Sequence, residues 1–446
     1  MLGNKIKLSI PQILVTGYFL LIVIGSILLW LPIAHSEGVE IHYLDALFTT
    51  VSATCVTGLI AVDTGTSWSL FGKIVIISLI QIGGLGILAF ITVIQMTMRQ
   101  TIGLRQRLAI QQDLNSFDLK RPEKLIGKVI LISLGIEAVG AIVLSTQFIG
   151  EYGIGTGIWY GVFHSISAFC NAGFDLFGNF QSLTLYQHNP IILYTIMGLI
   201  IAGGLGFIVW TDIASFFSKK MKSRLSFHTK IVLITTVALL VLGAIGIGLI
   251  EYNGVALAGL SPLDKVHNIL FMAITPRTAG FSNVNLSDMR LATSLITIVL
   301  MFIGASSGST AGGIKTTTFA VIMLALYSEL RQRSSVRIFG RRISVQAVDT
   351  AFSVATIGFV SVLIGSFVLS ITDSSFGLLE ILFETVSAFG TVGSSMSMSP
   401  ELSAIGKVVI MLLMYIGRVG PVTFGLSLLV EKKSTIRYPE GKILIG

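Results

Sequence analysis

The chain has 446 residues, of which 53% are hydrophobic and only 12% are charged. Soluble domains usually carry about 25% charged residues, and the mean hydropathy of +0.87 leaves too little polar surface to cover a soluble particle. These values exclude a soluble globular protein and indicate a polytopic membrane protein. Because helices packed side by side in a bilayer form one continuous body, we predict a single transmembrane domain over residues 1–446.

The first apolar run, residues 13–31, is long enough to cross a membrane by itself. It is followed by Pro32 and an acidic loop without a small-residue cleavage pattern, so we predict no cleavable signal peptide. The two cysteines, Cys55 and Cys170, form neither a CxxC motif nor a metal-binding spacing. We expect both to be reduced thiols packed as small apolar groups.

Eight long apolar runs follow one another along the chain. Each is near or above the roughly 20 residues that a helix needs to cross about 30 Å of hydrocarbon. Eight crossings place both termini on the same side of the membrane. The runs cover residues 13–31, 70–98, 126–149, 190–217, 229–250, 291–328, 348–371 and 402–429.

Lysine and arginine cluster on one side of this predicted topology, in the connections after every second run and at both termini. Short loops rich in lysine and arginine stay in the cytoplasm, so both termini are predicted to be cytoplasmic in a bacterial plasma membrane. The net charge of +8 therefore reflects topology, and we expect no nucleic-acid partner. The basic segments lie at 5–7, 99–124, 219–224, 331–342 and 432–437.

The four outer connections contain an internal repeat that can be aligned without gaps on one glycine each. They read DALFTTVSATCVTGL (45–59), YGVFHSISAFCNAGF (160–174), HNILFMAITPRTAGF (267–281) and EILFETVSAFGTVGS (380–394). The chain is thus four copies of span–loop–span. The copies cover 10–100, 122–218, 226–330 and 345–430, and a cytoplasmic tail covers 431–446. Short helices are predicted at about 44–54, 160–169, 264–275 and 377–388.

Non-helical backbone is costly at membrane depth unless it is buried in protein or lines water. Four equivalent loops satisfy this condition if they converge on one axis, with the negative ends of the short helices and the loop carbonyls turned inward. The predicted fold is therefore all-α, with eight transmembrane helices and four re-entrant helices in pseudo-fourfold symmetry around one pore. Ordinary extracellular glycine turns are the alternative, which four matched copies disfavour.

Glycine is required where the four strands meet, because a side chain would clash there and glycine adopts positive φ at low cost. The backbone of four residues in each loop is predicted to form the ion-binding filter. These residues are Cys55, Val56, Thr57, Gly58, Cys170, Asn171, Ala172, Gly173, Arg277, Thr278, Ala279, Gly280, Gly390, Thr391, Val392 and Gly393.

The sixth apolar run is interrupted by a segment in which eight of twelve residues are glycine, serine or threonine. We interpret it as an unwound loop below the filter that acts as a gate; a small-residue helix-packing face is the alternative. A phosphate-binding loop is excluded because Ile314 separates Gly313 from Lys315. The predicted gating residues are Gly304, Ala305, Ser306, Ser307, Gly308, Ser309, Thr310, Ala311, Gly312, Gly313, Lys315 and Arg418.

Two arginines lie at unusual positions. Arg418 lies in the middle of the last run, where a charge is costly and by default functional, and it aligns with Gly84 and Gly204. It lowers cation occupancy below the filter, pairs with a carboxylate or carbonyl of the interrupted segment, or forms a buried structural salt bridge. Pro421 predicts a kink just after it. Arg277 is expected to be a structural anchor at the pore mouth, bonded to Glu384 or another acidic residue.

Five segments resemble the Trk/Ktr/HKT superfamily of potassium transporters, most closely the membrane subunits of bacterial Ktr systems, of the KtrB or KtrD type. The segments are PRTAGF (276–281), TVSAFGTVG (385–393), GIKTTTF (313–319), GRVGP (417–421) and IRYPEG (436–441). The resemblance covers nearly the whole chain. It implies one filter glycine per repeat, a gating loop at 304–315 and a pore arginine at Arg418. Gly58 stands where sodium-preferring plant relatives have serine, which favours potassium.

The resemblance also implies partners. Such subunits form homodimers with one pore per protomer, and a cytoplasmic ring of RCK-type nucleotide-binding subunits (KtrA or KtrC type) controls them. The nucleotide binds the ring, so no cofactor is expected in this chain; potassium is the transported ion and sodium a potential activator. Only Thr391-Val392-Gly393 matches the TVG of potassium channels, and it continues with Ser394-Ser395. Selectivity is therefore expected to be looser than in a true potassium channel.

The predicted function is potassium uptake driven by the membrane potential, which supplies about 2.3 kcal/mol per charge per 100 mV. The alternative is a sodium-coupled secondary transporter with alternating access, which typically has two broken helices at corresponding positions of two repeats. The sequence predicts one strongly interrupted helix. The scattered histidines have no acid or nucleophile at motif spacing, so we do not expect an enzyme.

Overall fold

The computed structural model describes residues 9–87, 122–217 and 225–428, together with residues 89, 90, 92 and 108. These residues are mainly helical, and one short hairpin pairs Arg337–Ile338 with Arg341–Arg342. The longer helices are α1 (Ile10–Trp30), α2 (Tyr43–Cys55), α3 (Thr64–Ser67), α4 (Leu70–Leu85), α5 (Pro122–Tyr152), α6 (Ile154–Phe169), α7 (Pro190–Gly204), α8 (Phe207–Phe217), α9 (Phe227–Glu251), α10 (Pro262–Ile274), α11 (Leu291–Phe302), α12 (Thr316–Leu330), α13 (Val345–Thr372), α14 (Leu378–Gly390), α15 (Ala404–Val419) and α16 (Pro421–Leu428).

Within the described residues, four helices are long and apolar enough to cross a membrane. They are Ile10–Trp30, Ile126–Tyr152, Phe227–Glu251 and Val345–Thr372, and each begins one of the four predicted repeats. Two bent helix pairs raise the number of candidate spans to six. The chain is a multi-pass membrane protein, because such lengths of apolar helix have no other stable environment.

The second helices of repeats two and four differ from the predicted continuous runs. The predicted spans 190–217 and 402–429 are each broken: α7 and α8 meet at 97°, and α15 and α16 meet at 99°. The bend expected beside Pro421 is confirmed, whereas the bend after α7 was not predicted. Gly206 and Gly420 carry the breaks at φ +91° and +94°, and Gly86 ends α4 at φ +92°. Hydropathy does not detect such breaks because the glycines lie within apolar sequence.

The interruption predicted in the sixth run is present. Helix α11 ends at Phe302 and α12 begins at Thr316, and the residues between them form an irregular loop. Its two ends are held together by a bridge between Ile303 and Ile314. We call residues 304–315 the intramembrane loop.

Four shorter helices, α2, α6, α10 and α14, overlap the short helices predicted from the repeat. Two of them have capped starts: at α10, Ser261 Oγ accepts a hydrogen bond from Asp264 N (3.2 Å), and at α14, Glu380 Oε2 accepts one from Gly377 N (2.7 Å). α2 and α14 end because the next residue, Val56 or Thr391, is left-handed. Phe48, Phe163 and Phe383 occupy one repeat position and are completely buried, which fixes these helices in the core.

One ion pair joins the first repeat to the last. Lys407 Nζ on α15 lies 2.6 Å from Asp45 Oδ1 on α2, and the two side chains are only 14% and 15% exposed. Asp45 lies in the first turn of α2, where a carboxylate also favours the helix dipole. The pair is therefore a stabilising contact between chain segments that are far apart in sequence.

Replacing Asp45 by asparagine should lower the thermal midpoint of the detergent-solubilised protein. The change leaves the Lys407 ammonium group largely buried without its counter-charge, which costs roughly 2–3 kcal/mol when partial exposure is allowed for. Thermal unfolding followed by size-exclusion chromatography measures the shift. The double variant Asp45→Asn with Lys407→Met should recover part of the loss; a single variant as stable as the wild type would contradict the prediction.

Candidate functional site

The four predicted filter glycines form a closed ring. Gly58, Gly173, Gly280 and Gly393 have φ of +94°, +69°, +79° and +98°. A Cβ built on each would fall within 3.0 Å of a backbone oxygen in the next loop. The contacts run from Gly58 to Ala172, from Gly173 to Ala279, from Gly280 to Val392, and from Gly393 back to Thr57. Each strand therefore packs directly on its neighbour, and alanine would not fit at any of the four positions.

A second set of left-handed residues lies two positions before each glycine. Val56, Asn171, Thr278 and Thr391 have φ of 56°, 60°, 64° and 50°. Left-handed residues at alternate positions turn successive carbonyl groups to the same side of a strand. Such a conformation costs of order 1–3 kcal/mol for a residue other than glycine, and it persists only where the surroundings enforce it. The four loops thus share one strained backbone, suited to presenting a row of carbonyl oxygens.

Hydroxyl groups on the short helices hold these strands in place. Ser52 Oγ accepts a hydrogen bond from Gly58 N (3.0 Å), and Ser387 Oγ accepts one from Gly393 N (3.1 Å). Ser167 Oγ instead donates to Phe174 O (2.7 Å), and Thr275 Oγ1 donates to Phe281 O (2.6 Å). The aligned serines were visible in the repeat, but the partner of each hydroxyl was not.

A further column of glycines lets the second helices reach the ends of the short helices. A Cβ built on Gly83, Gly203 or Gly417 would fall within 3.0 Å of the carbonyl oxygen of Thr54, Phe169 or Phe389, respectively. Each of these oxygens lies four residues before a filter glycine. These glycines were not singled out from the sequence, although the repeated pairs GG and GR at 83–84, 203–204 and 417–418 carry the signal.

The intramembrane loop lies against the filter strands. Gly312 N donates to Thr391 Oγ1 (3.0 Å), and Thr310 Oγ1 donates to Asn171 Oδ1 (3.0 Å). The loop also contacts the bend of the second repeat, where Phe207 N donates to Gly308 O (2.7 Å). The structure therefore brings the predicted gating residues and the predicted filter residues into one hydrogen-bonded assembly.

Arg277 does not have the partner that the sequence analysis predicted. Its Nη2 donates to Gly304 O (3.1 Å) at the start of the intramembrane loop, while Nε and Nη1 have no partner among the described residues. Glu384 instead accepts a hydrogen bond from the Ser399 hydroxyl. The expected Arg277–Glu384 bond is thus wrong, because Arg277 lies three residues before its glycine, at the filter end facing the loop, and Glu384 lies in the middle of α14.

Arg418 bridges the loop to the first repeat. Nη1 donates to Thr310 O, and Nη2 donates to Gly83 O and Gly84 O. Gly83 and Gly84 lie in the last turn of α4, where the helix dipole places partial negative charge. No carboxylate among the described residues forms a salt bridge with Arg418. Of the roles left open from the sequence, the carbonyl contact is the one present.

A cavity of ≈ 300 Å³ lies beside the loop and is lined by Arg418, Lys315 and, at the ends of α4 and α15, Gly86 and Gly420. Lys315 Nζ donates to Ala311 O (2.5 Å), next to the carbonyl that Arg418 holds. None of the described lining residues is acidic. The cavity is therefore electrostatically unfavourable for a cation while the loop is in this position.

Two thiols and one carboxyl group complete the site. Cys55 and Cys170 are free, buried thiols, as predicted. Asp175 follows Gly173 by two residues and lies at the other end of the filter from the loop. Burial, with a smaller contribution from the nearby Asp63 carboxylate, raises the pKa of Asp175 to about 7.

Comparisons with known proteins agree with this geometry. The family model "TrkH: Cation transport protein" matches residues 9–436. "Ktr system potassium uptake protein B" of Bacillus subtilis (strain 168) is 41% identical over 442 residues, covering 99% of this chain and 98% of that protein. "Potassium/sodium uptake protein NtpJ" of Enterococcus hirae is 39% identical over 446 residues, covering 99% and 98%.

A third relative, "Ktr system potassium uptake protein D" of Bacillus subtilis (strain 168), is 38% identical over 443 residues, with 98% of each chain covered. Among solved structures, the potassium transporter TrkH from Vibrio parahaemolyticus has a TM-score of 0.77 at 18% identity and covers 96% of this chain and 86% of that one. The structural likeness shows the fold, and the full-length match at high identity shows the family. The chain belongs to the TrkH family of cation transport proteins.

Proposed function

We propose that this protein is the potassium-conducting membrane subunit of a Ktr-type uptake system. The observation that carries the proposal is the closed ring of four glycine-containing strands, Gly58 to Gly173 to Gly280 to Gly393. Such a ring of backbone carbonyls replaces the hydration shell of a potassium ion. The names of the relatives, which are potassium uptake proteins, agree with this cargo.

The proposed architecture has eight membrane crossings. The four long helices begin the repeats, the broken second helices complete them, and α2, α6, α10 and α14 are re-entrant helices around one pseudo-fourfold axis. The cyclic order of the glycine contacts supports this arrangement. The proposed cytoplasmic side carries the exposed arginines of the 331–342 segment. Most of the other basic segments used to predict topology lie outside the described residues.

The proposed gate is the intramembrane loop together with Arg418. The loop lies between the filter strands and the cavity, and Arg418 fastens it to α4 through Thr310 and Gly83. Two basic side chains, Arg418 and Lys315, line the cavity. This arrangement corresponds to a closed state, and opening requires the loop and the Arg418 contacts to move.

The proposed complex is a homodimer with one pore per protomer, controlled by a cytoplasmic ring of RCK-type nucleotide-binding subunits. The word "system" in the names of the Ktr relatives supports a multicomponent assembly. Nucleotide would bind the ring, and sodium would stimulate uptake. The predicted cytoplasmic tail, residues 431–446, lies outside the described residues.

A sodium-coupled transporter with alternating access is the second candidate. The bends at Gly206 and Gly420 occupy corresponding positions of repeats two and four, which is the pattern such transporters display. The sequence predicted one strongly interrupted helix and a kink at Pro421; the bend at Gly206 is additional, so this criterion no longer separates the candidates. The unbroken ring of filter contacts favours a pore, because alternating access does not require four equivalent strands.

Flux through the purified protein in liposomes distinguishes the two candidates. With a potassium gradient and no sodium, a pore should give a potential that reverses at the potassium equilibrium value. A strict, stoichiometric requirement for sodium in each turnover would contradict the pore proposal and favour coupled transport. Empty liposomes prepared in the same way provide the background leak.

A further inference from the structure

We propose that the side chains of Asn171 and Thr391 are latches that hold the intramembrane loop closed from diagonally opposite sides of the filter ring. The proposal rests on the proposed pore and gate. It assigns these two side chains a role distinct from that of their backbone carbonyls. Repeats two and four, which carry them, are not neighbours in the cyclic order of glycine contacts.

The Thr391 latch is a direct contact between filter and loop. Gly312 N donates to Thr391 Oγ1 at 3.0 Å, and both residues are buried. A Cβ on Gly312 would overlap the Thr391 side chain, so glycine is needed for the loop backbone to approach. Loss of the hydroxyl would leave a buried backbone N–H without a partner, which is unfavourable for this closed position.

The Asn171 latch connects three segments. Thr310 Oγ1 on the loop donates to Asn171 Oδ1 (3.0 Å), and Asn171 Nδ2 donates to Arg277 O in the third filter strand (3.4 Å). Thr310 is also the residue whose carbonyl oxygen Arg418 holds. Asn171 is therefore a positioning residue that links the third filter strand to Thr310, the same loop residue that Arg418 contacts directly.

The equivalent positions in repeats one and three lack such a latch. Val56 has no polar side-chain atom, and Thr278 Oγ1 has no hydrogen-bond partner among the described residues. All four positions share the left-handed backbone. The chain itself thus supplies a valine and an unbonded threonine in the same conformation, so the effect of the latch can be separated from the effect of the backbone.

The latches join filter residues to the loop, so the coupling between filter and loop is reciprocal. A change in the filter strands at Asn171 or Thr391 shifts the equilibrium between the closed and open positions of the loop. Displacement of the loop, in turn, removes support from the left-handed backbone of those two residues. The expected signature is a higher basal flux when one latch is removed, because the closed state is weakened. One hydrogen bond is worth about 1 kcal/mol, which corresponds to about a fivefold change in the closed-to-open ratio.

The test compares Thr391→Val with Thr278→Val in liposomes by measuring basal potassium flux. The two substitutions make the same atomic change at the same ring position, and only the first removes a bond to the loop. The Thr391→Val variant should exceed the Thr278→Val variant by about fivefold. Thr391→Ser keeps the hydroxyl and should restore flux close to that of the wild type.

Making the same substitutions in a chain that lacks residues 306–312 distinguishes a latch on the loop from a general structural role of the Thr391 side chain. Without Gly312 there is no bond to lose, so Thr391→Val should add nothing to the flux of the deletion variant. If the deletion variant does not fold, the substitutions are compared instead in an Arg418→Gln chain, in which the loop has lost its bond to Arg418. Equal flux from Thr391→Val and Thr278→Val, or the same increment with and without the loop, would overturn the proposal. Absence of potassium flux from the wild type would instead contradict the proposed function.

Discussion

Alanine at Gly280 should reduce potassium flux to the level of empty liposomes. Gly280 has φ +79°, and an added Cβ would overlap Val392 O and lie 3.1 Å from Gly393 Cα in the adjacent strand. The neighbouring backbone has no free space into which it can move, because Gly393 packs in turn on the first strand. The carbonyl ring would lose its spacing, and ions would lose their replacement for water. Flux of the purified variant in liposomes is the measurement.

The control is Gly259→Ala, in the same repeat. Gly259 also has φ +79°, but nothing lies within 4 Å of its added Cβ. The two variants therefore share the conformational strain of a left-handed alanine and differ only in the clash with the next strand. Gly259→Ala should conduct as the wild type does, with a small loss of thermal stability. Conduction by Gly280→Ala equal to that of the control would contradict the ring of filter contacts.

Glutamine at Arg418 should raise basal potassium flux by roughly 10- to 100-fold. The substitution removes the charge-assisted hydrogen bonds to Thr310 O and Gly83 O, which together fasten the intramembrane loop to α4. One hydrogen bond from a charged group contributes about 1.5–3 kcal/mol, which sets the size of the expected change. Removal of a positive charge from the cavity acts in the same direction, because it lowers the barrier to a cation.

Arg418→Lys separates the two effects. Lysine keeps the charge but presents a single ammonium group, which does not reproduce the fork that reaches Thr310 and Gly83 together. High flux in both variants would show that the bridge controls the gate, whereas high flux only in the glutamine variant would assign control to the charge. Flux at or below the wild-type level in Arg418→Gln would contradict a closing role for this residue.

The elements within each repeat were predictable because each depends on residues that are close together in the sequence. The short helices, the glycine of each loop and the interruption at 304–315 all follow from residue types at fixed spacing, and the structure places helices and irregular backbone at those positions. The four left-handed residues before the glycines are a different case. Val56, Thr278 and Thr391 are β-branched and disfavour positive φ, so their own preferences point away from the observed backbone, whereas Asn171 is of a type that adopts it more readily.

The contacts between the loop and the filter were not predictable for a different reason. Thr310 and Asn171 are 139 positions apart, and Gly312 and Thr391 are 79 positions apart. No local pattern relates such residues. The same limit explains the wrong partner for Arg277: charge complementarity suggested Glu384, whereas the fold places a backbone carbonyl, Gly304 O, within reach.

The closure of the first repeat on the fourth has a consequence for biogenesis. Gly393 packs on Thr57, and Lys407 pairs with Asp45, so both junctions need residues made at opposite ends of synthesis. When only three repeats have been synthesised, the ring is incomplete. The filter strands of repeats one and three then each lack the neighbour that repeat four supplies. A permeable filter therefore cannot form until the last repeat has entered the bilayer. Incomplete chains would leave Asp45 without its counter-charge and the first filter strand without its neighbour from the fourth repeat.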